Sequence, residues 1–180
     1  MVRLGVATVA AFLAFCLSAH AQVVVKSEDG SMQLTLPNGW KEGKPVGAST
    51  KIRASDGHGA VVAVSAHPKE DFKDFKAFTN FADERLKKNL PGTEAKAQNL
   101  EIDGKPAIRM TMSGTGANGR NVAVIATYVD AGPTYVVVLV RASASDYRRQ
   151  EPVLVGLASQ LKLAATAPAA QGKPGRRSRN

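Results

Sequence analysis

Cysteine is nearly missing from this chain: Cys16 is the single one among 180 residues. It lies in a stretch that reads as a removable leader, so residues 22–180 offer no thiol for a disulfide, an iron–sulfur cluster or a thiolate zinc site. Histidine is scarce too, with three in all, and only His58 and His67 fall beyond the leader. Zinc takes three or four ligands, and neither an H-x-x-x-H spacing nor a paired cysteine is present to complete a set. Asp56 beside His58 reads as a solvated turn. The adjacent acids Glu28-Asp29, Glu70-Asp71 and Asp83-Glu84 lack the alternating oxygen donors of a calcium loop. No run approaches the roughly 20 apolar residues that cross a bilayer. Neither a G-x-S-x-G elbow nor an evident nucleophile partner for either histidine occurs. No metal, no cofactor and no catalytic residue set is expected.

What is present begins with the leader. Arg3, an apolar run from Val6 to Leu17, and Ala19 and Ala21 around His20 form the three parts of a secretory signal peptide. Cleavage is expected between Ala21 and Gln22. Cys16 follows Phe15 rather than a small residue, which argues against lipid modification. The expected product is a periplasmic or secreted protein, not transmembrane after processing, with a single domain over residues 22–163.

The chain carries a net charge of +9. Removing Arg3 leaves +8, and Lys173, Arg176, Arg177 and Arg179 supply four of those charges within the last eight residues. Ala164–Gln171 is an Ala/Pro linker, so residues 164–180 read as a disordered linker and basic tail. Nucleic acid is not an expected partner in that compartment. A solubilising tail with no partner is the plainer reading of so short a basic run, and an anionic surface such as lipid head groups or lipopolysaccharide is the partner it would otherwise suit.

Between leader and tail, the longest apolar stretch is Tyr135–Val140, within Thr134–Arg141. Its continuity predicts a central strand covered on both faces. Val23–Lys26 and Ser31–Leu36 read as strands, Pro37-Asn38-Gly39 as a turn, and Lys41–Ser49 as a loop. Lys51–Ala54 and Ala60–Ala66 form a hairpin around Ser55–Gly59. Asp71–Leu90 is an amphipathic helix, with Phe72, Phe75 and Phe78 on its apolar face, Phe81 at the flank and Asp71 as N-cap. Asp103-Gly104 is a two-residue hairpin signal between Glu94–Ile102 and Lys105–Met112. In the second strand, Ala107, Arg109 and Thr111 face one way, and Ile108, Met110 and Met112 the other. Gly114–Gly119 matches G-x-G-x-x-G letter for letter, but a strand over Asn121–Val129 follows where a dinucleotide site needs a helix. A closing helix starts near Glu151 with Pro152 in its first turn, and Asp146–Gln150 forms a kinked lead-in. Tyr147, Leu154, Leu157, Ala158 and Leu161 share its packing face. Strands joined by hairpins and two amphipathic helices predict an α+β fold, a central antiparallel sheet of about six strands in an α/β/α sandwich.

The succession LPNGW at Leu36–Trp40, the aromatic helix, the hairpin EIDGKPAIRM at Glu101–Met110, two long strands and ASQLKL at Ala158–Leu163 resembles the PsbP/DcrB-like family. The resemblance spans nearly all of residues 22–163, through short structural motifs. It implies a binding or accessory role, contacting an unidentified protein or envelope component, and carries no shared catalytic residues. The alternative is a small-molecule carrier or hydrolase with a pocket near Trp40 and the loops at 55–59 and 114–120. Trp40, His58 and Arg120 are the candidate contacts for a ligand or partner.

Overall fold

The computed structural model describes residues 22–90, 95–116 and 119–164. The predicted leader and basic tail lie outside them, as do Lys173, Arg176, Arg177 and Arg179.

Among the described residues, ten strands divide between two antiparallel sheets. In the large sheet the order is β3 (Lys41–Glu42), β4 (Thr50–Ser55), β5 (Val61–Pro68), β9 (Thr134–Ser143), β8 (Asn121–Asp130), β7 (Lys105–Thr115) and β6 (Ala95–Ile102). The small sheet is β1 (Val23–Lys26), β2 (Met32–Leu36) and β10 (Leu161–Leu163). Helix α1 (Phe75–Asn89) lies on one face of the large sheet, and α2 (Ala144–Gly156) with the small sheet lies on the other.

Strand β9 shows why the layers form. Tyr135, Val137 and Leu139 pack toward α1 with Phe78, while Val136, Val138 and Val140 join the opposite core with Leu154, Leu157 and Leu161. Successive side chains on a strand point to opposite faces, so an unbroken apolar run is what a strand buried on both sides requires. Phe78 is fully enclosed, stacked on Tyr135 with ring centroids 4.8 Å apart and edge-on to Tyr128 at 6.1 Å.

The turns follow the local chemistry. Asp103 and Gly104 adopt φ of 50° and 70°, the left-handed pair of a tight hairpin. At the other end of the sheet, Asp56 Oδ1 accepts the amide N–H groups of His58, Gly59 and Ala60 at 2.8, 3.0 and 2.9 Å. That carboxylate fixes the loop between β4 and β5.

Two expectations are corrected, the strand number is refined from about six to seven, and the kinked lead-in to the closing helix is borne out. Helix α1 begins at Phe75, because Asp74 rather than Asp71 caps it, accepting the Ala77 N–H at 2.7 Å; Asp71 ends a separate 3-10 turn. The first two strands leave the central sheet and pair with the chain's end, since Leu161–Leu163 is a strand against β2 rather than helix. The large sheet therefore has seven strands, one of them the two-residue β3 within the expected loop. Helix α2 starts at Ala144, with Ser143 as N-cap accepting the Asp146 N–H at 3.0 Å. Its backbone leaves helical geometry at Gln150 (φ −121°, ψ 15°), so the residues before Glu151 form the expected kinked lead-in and Pro152 falls in the first turn of the helical segment that follows, where its missing N–H needs no partner.

Candidate functional site

The residues singled out in the sequence do not gather into one site. Trp40 is 5% exposed and belongs to the core that includes Leu36, Ile52 and Leu154. An indole so enclosed offers no face on which a ligand can stack, and this removes the expected pocket around it. His58 stands exposed in the β4–β5 turn, and Arg120 is exposed after the β7–β8 loop. Both loops lie at the same end of the large sheet, because Val61 aligns with Arg141 and Thr115 with Asn121 while Val124 aligns with that same Arg141. Gly114–Gly116 and Asn121 flank a strand-to-strand turn, so the glycine pattern has no helix to receive a phosphate. Among the described residues, no group of three metal-ligating side chains forms, and no helix is long and apolar enough to cross a membrane.

A different concavity lies on the α2 side of the sheet. Strands β6 and β7 extend beyond the cover of α2 and leave a cavity of about 450 Å³. Its floor is set by strand register. Gln98 pairs with Arg109, Lys96 with Thr111, and Ser113 with Ala123 of β8, so alternation brings these side chains to one face. One wall is helical: Tyr147, Glu151 and Val155 line it at four-residue steps along α2.

Its chemistry is polar and mixed in charge. Tyr147 donates its hydroxyl to Glu151 Oε1 at 3.0 Å, and no ion pair joins Glu151 to Arg109 among the described residues. Arg109 is half-buried, and its Nε is enclosed without a hydrogen-bond partner among the described residues. Burial pulls the guanidinium pKa below the ordinary arginine value, with Tyr147 opposing the shift. Arginine nonetheless stays charged in proteins. Burial first, then the bond to Glu151, raises the Tyr147 pKa, while Arg109 works against them. The phenol is thus a neutral donor at ordinary pH. On β8, Thr127 aligns with Arg109, and its enclosed hydroxyl also lacks a partner among the described residues.

Sequence reasoning put Arg109 and Thr111 on the correct face but assigned them no role. The available signal was a polar stripe (Lys96 and Gln98 on one strand, Arg109, Thr111 and Ser113 on the next) sharing a face with the apolar Ala107, Ile125 and Val129.

No protein-family model matches the chain, and no curated protein matches it by sequence. Solved structures do match. Cyanobacterial PsbP (CyanoP) of Synechocystis aligns with TM-score 0.60 and 11% identity over 82% of this chain and 95% of that one. The Ran-binding protein Mog1p of Saccharomyces cerevisiae gives 0.60 and 12% over 82% and 98%. LpqN of Mycobacterium tuberculosis, involved in cell envelope biogenesis, gives 0.52 and 16% over 81% and 91%. The chain therefore has the PsbP-like fold, an α+β sandwich. Identities this low establish the shared architecture and transfer no residue roles.

Proposed function

We propose that the chain is an exported, non-enzymatic binding or accessory protein of the bacterial cell envelope that contacts a protein partner or an envelope component. The observation that carries this reading is the Arg109 cavity. It is a preformed concavity in which a half-buried arginine, an exposed lysine, several hydroxyls and an amide converge on one sheet face, the arrangement expected of a binding site. The names of the structural neighbours support the same role: one binds Ran and one is involved in envelope biogenesis. The leader at Met1–Ala21 supports export, and the tail residues Lys173, Arg176, Arg177 and Arg179 suit electrostatic attachment to an anionic surface.

Crosslinking of the tagged mature protein in intact cells, followed by recovery under denaturing conditions, tests the role. A discrete adduct in the envelope fraction is expected. Recovery of the tagged chain alone at every crosslinker length would count against it. Tail attachment is tested separately: deleting residues 172–180 should abolish salt-sensitive binding to anionic vesicles, and unchanged binding would refute attachment.

A further inference from the structure

Within that binding role, the geometry points to a carboxylate as the group received by the cavity between α2 and strands β6 and β7, with Arg109 as its principal contact. The charge balance selects the ligand class. Lys96 and Arg109 carry two positive charges on the floor, Glu151 carries one negative charge on the wall, and the cavity is left at about +1. One carboxylate neutralises that, whereas a phosphate ester brings roughly −1.5 to −2 and would face Glu151 with its excess.

The donors also fit. A guanidinium presents paired N–H groups that match the two oxygens of a carboxylate. Arg109 lines the cavity and is half-buried, with its Nε enclosed. Lys96 is a diagonal neighbour of Arg109 across the β6–β7 pair, about 7 Å away by strand geometry, close enough for one acidic group to engage both. Thr111 and Ser113 add hydroxyls beside them, and Val155 and Ala123 give the apolar flank a carbon skeleton needs. At about 450 Å³ the space takes a compact organic acid or the acidic end of a peptide.

Arg109 is also costly to the fold. An enclosed donor without an acceptor is destabilising, and nothing in the described packing needs a cation at that position. A residue that weakens the scaffold while lining a cavity has the profile of a functional group.

The test uses the ¹⁵N-labelled mature chain and the Arg109 Nε–H resonance, which burial shields from solvent exchange. Benzoate, its neutral counterpart benzamide, inorganic phosphate, and a short capped peptide with either a free C-terminal carboxylate or an amide are titrated separately. The inference expects a saturable shift with benzoate, with the peptide acid, or with both, and none with benzamide or the peptide amide. Saturation by benzoate identifies a free small acid as a sufficient source, and saturation by the peptide acid alone identifies a chain terminus. Arg109→Met should weaken binding, read from the Tyr147 ring resonances, by tenfold or more with no loss of thermal stability. Lys96→Met, at an exposed position, should weaken it about threefold, and this second variant decides the matter if Arg109→Met fails to fold. The inference is overturned if neither acid saturates at about 10 mM, tenfold above a millimolar dissociation constant. It is likewise overturned if the neutral analogues shift the resonance equally, or if phosphate binds more tightly than the acids. Such a failure would leave the crosslinking result, and with it the accessory role, standing.

Discussion

Tyr128→Phe is expected to leave the protein as stable as before or make it more stable, although the ring is central to the core. Tyr128 is 1% exposed and packs edge-on against Phe78. Its hydroxyl is enclosed without a hydrogen-bond partner among the described residues. Burial, with the nearby Asp83 charge adding to it, raises the phenol pKa above its ordinary value. An enclosed hydroxyl with no partner costs about 1–3 kcal/mol relative to its hydrated state. Phenylalanine keeps the ring contacts and removes that cost, so a gain of about 1 kcal/mol is expected after allowance for the void left behind. With urea slopes of about 1–3 kcal/mol/M, the midpoint should rise by about 0.5 M with the slope unchanged. Trp40 is the only tryptophan and is enclosed, so its fluorescence reports unfolding without a label. Thr127→Val, on the opposite face of the same strand, removes a second unpartnered hydroxyl and should behave alike. A loss above about 1 kcal/mol for Tyr128→Phe would refute the reasoning, because it would show the hydroxyl to be paired, for instance through a water shared with the equally unpartnered Asp83 Oδ1.

Substitutions at three other positions probe the layers separately. Phe78→Ala opens a cavity under α1 and should cost about 3–5 kcal/mol in the same urea assay. Asp56→Ala removes the acceptor for three amides and should cost on the order of 2 kcal/mol, while Asp56→Asn costs less. Burial raises the Asp56 pKa, but the amides of His58 and Ala60, the Gln150 side chain and the Gly59 amide together outweigh it and the net shift is downward. That contribution is therefore present above the ordinary carboxylate value of about 4 and fades as pH falls below it. His67 acts with the same sign at a higher pH: among the side chains that face it, burial and then Arg85 lower its pKa, with Asp71 opposing. The unfolded chain takes up that proton more readily, so stability should drop as pH falls through about 6.5. His67→Phe should flatten the thermal-melting profile between roughly pH 5 and 7 relative to the parent.

The fold was legible where a local rule acted alone. Tyr135–Val140 could only be a strand covered twice, Asp103-Gly104 could only turn, and Pro152 had to sit in a first turn. Failures came where the deciding partner was remote. Leu161–Leu163 is too short to show a period, and it becomes a strand only because β2 offers an open edge about 125 residues earlier. Asp74 displaces Asp71 as cap because the preceding 3-10 turn uses up Asp71, a choice that spacing does not reveal. The candidate site was harder still. Trp40 drew notice by rarity, yet a lone tryptophan usually ends in a core, and this one does. The cavity draws Lys96 and Gln98, then Arg109, Thr111 and Ser113, then Ala123, then Tyr147, Glu151 and Val155, from four separated stretches. Each stretch by itself looks like ordinary alternation or an ordinary amphipathic helix.

The central claim is that the face under α2, floored by β6 and β7, is the binding surface. It is tested most directly by a photoreactive amino acid placed at Lys96 or Ser113 in living cells, with Lys76 and Thr79 on α1 as comparison positions. Adducts should form from 96 and 113, fall sharply when Arg109→Met is added, and be weak or missing from 76 and 79. Adducts that arise only from the α1 positions, or that ignore the loss of Arg109, would contradict the account.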